Sequence, residues 1–287
     1  MSDVTITHPE KVMFPADGIT KGELCAYYDL VAPLMLPHLT GRPVTLERFH
    51  KGIAEKGFFQ KNVAKGAPEW LERVTVPKHD GVVNYAVVRD VRGIRWLANQ
   101  NCITPHVWTS RAPDLFHPDV CVFDLDPLVD DAVVLRNAVL LLRDMLAELG
   151  LTSWVKTSGS KGFHVVVPLD GRANSGQVAH FAHSVGRAFV ARDPAHLTLE
   201  FYKADRGGKI LVDTGRNEFG ATFAAAYAVR PKPNAPISAP CTWDEVECGT
   251  ATPQAFALRS MARRLDEVGD PWATLFATPH ALPAPPA

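Results

Sequence analysis

The segment Val120-Cys-Val-Phe-Asp124-Leu-Asp126-Pro127 constrains this chain more than any other. It is a short apolar run, rich in β-branched residues, that ends in carboxylates; this is the pattern of a strand entering a sheet. Residues two apart in a strand face the same side, so Asp124 and Asp126 project together while Cys121, Phe123 and Leu125 face a core. Two carboxylates aimed at one point repel each other unless a cation lies between them, and hard oxygen donors suit Mg²⁺ or Mn²⁺. From Asp114 to Asp131 there are six aspartates and no Lys or Arg, so no counter-ion is near in sequence. The plain alternative is a solvated strand end leading into a helix. The triplet alone does not separate the two readings, but its place at the end of an apolar strand favours the metal.

The surrounding pattern is that of an α/β (α+β) protein with a mixed sheet. A capping box, Thr20-Lys-Gly-Glu23, opens a helix whose apolar residues recur through Val31, and Pro33 and Pro37 are expected to close it. Strands are expected at residues 44–48, 82–88, 119–126, 152–157, 163–167, 209–213 and 222–230. Helices are expected at residues 131–149 and 176–191, and Thr252-Pro253 is read as the start of another running to Val268. The hairpin-length connection at residues 157–162 points to a mixed rather than an all-parallel sheet. No linker or repeat divides the chain, so residues 1–277 are expected to form one domain and the Pro/Ala-rich residues 278–287 a frayed tail. With 46% hydrophobic residues a substantial core is available. Thirty basic against 31 acidic residues give no global field for nucleic acid, so any such partner must be held by local clusters. Five cysteines without a C-x-x-C pair argue against a disulfide framework or a zinc knuckle. No apolar run approaches bilayer length and no leader is evident, so the expected location is the cytoplasm.

Two further constellations carry chemistry. Lys156-Thr-Ser158-Gly-Ser160-Lys161-Gly162-Phe-His164 is a turn whose backbone N–H groups, hydroxyls and lysines suit phosphate oxygens. It lacks P-loop spacing. Its S-x-x-K and K-T elements overlap too closely to meet across a fold as they do in serine acylases. The segment Arg206-Gly-Gly-Lys-Ile-Leu-Val-Asp213-Thr-Gly-Arg216-Asn217 delivers a third carboxylate at a strand end, flanked by arginines that suit a triphosphate, with Arg230 further on. Lys78-His-Asp80-Gly81 matches a ligase nucleophile motif but lacks its companions and is read as a loop. Between Arg42 and Lys65 six basic residues surround Phe58-Phe59, a pattern that suits a nucleic-acid path or, equally, two core phenylalanines beside a soluble loop.

The order D-x-D, S-G-S-K-G-x-H-V, K-x-x-V-D-x-x-R-N is far more specific than its parts. The chain resembles the polymerase domain of bacterial ligase D, in the archaeo-eukaryotic primase superfamily. The likeness extends from His8-Pro-Glu-Lys11 through Phe58-Phe-Gln-Lys-Asn62 and Trp96-Leu-Ala-Asn99 to Trp243-Asp-Glu-Val246. It implies a mixed-sheet primase-polymerase core related to the RNA-recognition fold, with flanking helices and an N-terminal module. It implies a nucleotidyltransferase that uses two Mn²⁺ or Mg²⁺ ions to add NTPs, or dNTPs, at gaps or broken ends of 5′-phosphorylated DNA. Asp124, Asp126 and Asp213 would bind metal; His106, Ser158, Lys161, His164, Arg206, Arg216 and Arg230 would hold the nucleotide. Phe58 and Phe59 would meet the template, and Lys11 and Lys21 the 5′-phosphate. Implied partners are DNA, a separate ATP-dependent DNA ligase and Ku, with the protein acting as a monomer and without a membrane.

Two departures stand out: Asp213-Thr-Gly-Arg216 lacks the aromatic and leucine usual between Asp and Arg, and Glu47 occupies a position where a basic residue is common. Competing readings are a primase, an end-bridging module with incidental synthesis, and a D-x-D glycosyltransferase, which would not explain the turn together with Asp213.

Overall fold

The structure is a computed structural model and describes residues 4–286. The chain folds as two compact units, each discontinuous in sequence. One takes the chain up to Asp114 with Thr222–Ser238 and Phe256–Gly269; the other takes Leu115–Ala221, Ala239–Ala255 and Asp270 onward.

In the second unit, six strands form a sheet in the order Leu197–Thr198, Ile210–Asp213, Val120–Pro127, Phe163–Pro168, Trp154–Thr157, Pro240–Cys241. The first pair is parallel and the rest antiparallel, the expected mixed sheet. The central strand is buried on both faces from Val120 to Phe123 and alternates only from Asp124 onward. Its carboxylates therefore emerge where cover ends on one face, while Cys121, Phe123 and Leu125 stay fully buried. Helices Ala132–Glu148 and Ser175–Arg192 each bury a stripe at helical spacing, Leu135, Ala138, Val139, Leu142 in the first and Val178, Phe181, Val185, Phe189 in the second. Asp131 caps the former by accepting from the N–H groups of Val133 and Val134, and Asn174 caps the latter in a capping box with Gln177. The tail is tied at His280, whose N–H donates to the Pro168 carbonyl and whose carbonyl accepts from the Asp170 N–H.

The first unit holds a sheet ordered Phe223–Ala224, Cys102–Val107, Pro43–Arg48, Gly81–Val87, Glu72–Lys78, with Phe58–Gln60 also pairing to Pro43–Arg48. The capping box at Thr20 is formed, its hydroxyl accepting from Glu23 N and its N–H donating to Glu23 Oε2.

Three expected elements differ. The helix runs from Lys21 to Leu39, through both prolines. Each proline forfeits one helical hydrogen bond, but Val31, Met35 and Leu39 around them are fully buried, and that packing outweighs the local cost. The strand expected at 222–230 is two short strands broken at Tyr227, whose φ of 65° turns the chain. The helix expected from Pro253 starts only at Met261, after a 3₁₀ turn at Leu258–Ser260. Ile237 and Leu258 N–H groups donate to the Phe256 and Ala235 carbonyls, so this stretch is committed to extended pairing first.

Candidate active site

The carboxylates are assembled by strand register. Asp124 lies directly across from Asp213 on one side and from His164 on the other. Arg216 bridges the pair, its Nη2 3.1 Å from Asp124 Oδ2 and 3.0 Å from Asp213 Oδ2. His164 Nε2 is 3.4 Å from Asp124 Oδ1. The second oxygen of Asp213, Oδ1, accepts from the Gly215 N–H at 2.9 Å. Asp126 Oδ2 accepts from Arg206 Nη1 at 3.1 Å, and the other Arg206 nitrogens donate to the carbonyls of Glu200 and Phe201. The counter-ions absent near Asp124 and Asp126 in sequence are thus delivered by a distant segment.

Burial pushes the Asp124 carboxyl above the usual carboxylate range, and the like charges of Asp213 and Asp126 add to this, while Arg216 and Lys156 oppose it. For Arg216, burial works against the charge, but the three carboxylates outweigh it and raise its pKa. Among the described residues no three acidic, imidazole or thiol side chains form a ready-made metal cage. The donor set nonetheless fits a hard divalent cation. Asp124 and Asp213 already place one oxygen each about a cationic nitrogen, and Asp126 is on the same strand face two residues on.

The turn 158–162 is fastened to this strand. Ser158 Oγ accepts from the N–H groups of Ser160 and Gly162, and its own N–H donates to the Gly162 carbonyl. Ser158 therefore shapes the turn, whereas Lys161 is exposed and free to reach an anion. Gly162 lies so close that a Cβ there would come 1.6 Å from the Leu125 carbonyl oxygen, between the two aspartates in sequence. Lys156, which the sequence pattern places beside the phosphate-suited turn, is fully buried in its strand, where its charge favours ionised Asp124. Strand alternation does not reveal this, because Val155 and Thr157 on either side are fully buried as well.

In the first unit, His106, Glu47, Phe59 and Arg230 form a cluster. His106 Nε2 is 3.0 Å from Glu47 Oε2, and the Phe59 ring meets His106 edge-on at 5.3 Å. Burial would raise the Glu47 pKa, but the His106 hydrogen bond, with the charges of His106 and Arg230, holds it below the usual range. The unusual acidic residue at position 47 is thus a partner for His106. Phe58 and Phe59 are 40% and 62% exposed, which excludes the core alternative. Arg48 lies over the Phe58 ring at 5.7 Å and His50 beside it at 5.1 Å. Lys11 donates to the His50 carbonyl. Lys21 is buried and its Nζ donates to Thr7 O and Oγ1 at 2.7 and 3.0 Å. Burial lowers the Lys21 pKa, opposed by Cys25 and reinforced by the charges of Lys11 and Arg48. His79 and Asp80 form the tight tip between Lys78 and its strand partner Gly81, as the loop reading of that motif expects.

The chain belongs to the LigD primase-polymerase domain family, whose sequence pattern matches residues 20–272. It is 36% identical over 274 residues to the multifunctional non-homologous end joining protein LigD of Mycolicibacterium smegmatis, covering 93% of this chain and 35% of that protein. It is 33% identical to the LigD of Pseudomonas aeruginosa over 286 residues, covering 98% of this chain and 34% of that one. The chain thus spans about a third of the length of these relatives. Its structure is similar to that of the polymerase domain from Mycobacterium tuberculosis ligase D in complex with DNA. The TM-score is 0.91 at 32% identity, covering 98% of this chain and all of that one. The mixed α+β fold expected from the resemblance is the fold observed. Among the described residues no helix is long and apolar enough to cross a membrane.

Proposed function

We propose that this protein is a nucleotidyltransferase that extends DNA 3′-ends, preferring ribonucleotides, at gaps or breaks bearing a 5′-phosphate, in the service of end joining. The observation that carries the reading is the pair Asp124–Asp213, held across two strands around one cationic group, with Asp126 beside it. Asp124, Asp126 and Asp213 would hold Mn²⁺ or Mg²⁺. When bound, two such ions acidify the primer 3′-hydroxyl and stabilise charge on the triphosphate and the departing pyrophosphate. The protein's part is positioning and charge. Lys161 and Arg216 would bind the triphosphate, Ser158 holding the turn that presents Lys161, while His164 and Arg206, buried against Asp124 and Asp126, would act on it through those carboxylates. His106, oriented by Glu47, and Arg230 are further proposed nucleotide contacts, and exposed Phe58 and Phe59 offer faces for a template base. Residues 1–277 are taken as one working domain, with a separate ATP-dependent ligase sealing the product and Ku bridging the ends. Primer extension on gapped DNA with NTPs or dNTPs, in Mn²⁺ or Mg²⁺, tests the whole reading; no addition under any of the four conditions overturns it.

Lys161→Ala is expected to raise the apparent nucleotide KM far more than it weakens DNA binding. A hydrogen bond to a charged group is worth about 1.5–3 kcal/mol, so the expected rise is about one to two orders of magnitude. Unchanged KM with weakened DNA binding would assign the turn to the DNA path instead.

Recognition of the gap edge is assigned to Lys11, Lys21, Arg48 and His50; burial lowers the pKa of Lys21 and of His50, and the mutual repulsion of these positive charges adds to it. An anion there relieves that repulsion, and a terminal phosphate carries about one more charge than an internal one. Affinity for gapped DNA is expected to rise several-fold with a 5′-phosphate, and Lys11→Ala, Lys21→Ala to erase the difference. Because Lys21→Ala also empties a buried site and removes the two hydrogen bonds from Nζ to Thr7, Lys11→Ala alone is the cleaner variant. Equal affinity of the parent protein for phosphorylated and hydroxyl gaps would remove this site from the reading.

A further inference from the structure

The strand Ile210–Asp213 stops short of the strand it pairs with. Its register, Leu211 opposite Asp126 and Asp213 opposite Asp124, would bring residue 215 opposite Val122 if it continued. Instead the chain leaves at Thr214 and enters the 3₁₀ turn Gly215–Asn217. The side chain of Asn217, fully buried, takes the vacated place. Its Oδ1 accepts from the Val122 N–H at 2.8 Å, and its Nδ2 donates to the Val122 carbonyl at 2.7 Å and to the Thr214 carbonyl at 2.9 Å. One amide supplies the donor and the acceptor that a neighbouring strand residue would have supplied, and closes its own turn as well.

The turn is therefore fastened to the central strand at two places two residues apart, by backbone pairing at Asp213–Asp124 and by the Asn217 amide at Val122. Everything between these points belongs to the acidic centre. Gly215 N–H holds Asp213 Oδ1, and Arg216 bridges Asp213 and Asp124. Helix Ser175–Arg192 closes on the same turn through Gly186, where a Cβ would meet Thr214 Cγ2 at 2.9 Å. We propose that Asn217 is a positioning residue for the acidic centre. It sets the placement of Asp213 and Arg216 relative to Asp124 without touching substrate, and so tunes cation binding and turnover. The inference rests on the polymerase reading above.

The test uses the full chain and three variants. Asn217→Ala removes all three bonds, Asn217→Ser keeps a single short hydroxyl, and Asn217→Asp keeps the shape but sets an acceptor against the Val122 carbonyl. Three quantities are read well below each variant's melting temperature. They are Mn²⁺ affinity without nucleotide, from the resonance signal of free Mn²⁺; kcat on a gapped primer–template; and affinity for that DNA. Folded variants are expected to lose about ten-fold in Mn²⁺ affinity and about ten- to hundred-fold in kcat, the range that a misplacement of about 1 Å can cause, with DNA affinity unchanged. If Asn217→Ala does not fold, Asn217→Ser and Asn217→Asp decide. Folded variants that melt lower but bind Mn²⁺ and turn over like the parent would overturn the proposal, and so would failure of all three to fold, since Asn217 would then be needed for the fold itself. Asp124→Ala in the same assays separates the two readings. If it too keeps Mn²⁺ binding and nucleotide addition, the polymerase reading fails; if it loses both while Asn217 variants keep them, only this inference fails.

Discussion

Asp124→Ala is expected to lower nucleotide addition by about three orders of magnitude or more while leaving the protein folded. Cation stabilisation of transition-state charge is worth several kcal/mol, and about 4 kcal/mol corresponds to about a thousand-fold in rate. The fold is spared because Asp124 is a liability to stability as much as an asset. Its burial and two neighbouring carboxylates disfavour its charge, and Arg216 keeps Asp213 as a partner when it is gone. Single-turnover extension at saturating nucleotide, with the melting temperature measured in parallel, checks both halves. A folded Asp124→Ala protein with near-parent rates would sink the assignment of this carboxylate to the chemistry. Asp124→Asn, which keeps the shape and removes the charge, is expected to behave alike.

Gly162→Ala is expected to cost at least about 3 kcal/mol of stability, the upper end of overpacking penalties, and about a hundred-fold in rate. Its methyl would stand 1.6 Å from the Leu125 carbonyl oxygen and 3.1 Å from Pro127 Cδ, so either the turn or the aspartate strand must move. A shift of that size displaces Lys161 or Asp126 by about 1 Å, enough for a loss of about a hundred-fold. Gly66→Ala, where the added methyl meets nothing within 4 Å, is the reference and is expected to be neutral. Thermal unfolding and extension rates of the two variants settle the point. A Gly162→Ala protein as stable and active as Gly66→Ala would show that the turn is not held against the strand.

Much of the acidic centre was legible before any coordinates, because strand geometry is local. Period-two alternation is enough to put Asp124 and Asp126 on one face, and an apolar strand ending in Asp213 announces a third carboxylate. What register adds is long-range: nothing near Asp124 in sequence shows that residue 213 pairs with it, or that Arg206 and Arg216 neutralise the group. The full burial of Lys156 is not legible because a lysine is expected in solvent, and the role of Asn217 is not legible because a buried amide replacing a strand leaves no periodic signal. The proline-containing helix failed for a related reason: local breaking rules were sound, and tertiary packing around Met35 and Leu39 overrode them.

The discontinuity of the two units bears on how the chain can be made and cut. It passes from one unit to the other after Asp114, Ala221, Ser238, Ala255 and Gly269. A fragment ending at Asp114 leaves the strand Cys102–Val107 without the partner it takes from Phe223–Ala224. A fragment spanning Leu115–Ala221 leaves Trp154–Thr157 as a bare edge, because Pro240–Cys241 lies beyond it. Unpaired edges of this kind seek other chains, so such fragments would aggregate rather than fold. Neither unit can be completed during synthesis until its late segments have been made, and contacts that far apart in sequence slow folding. For expression, labelling or fragment complementation, the chain is one indivisible piece.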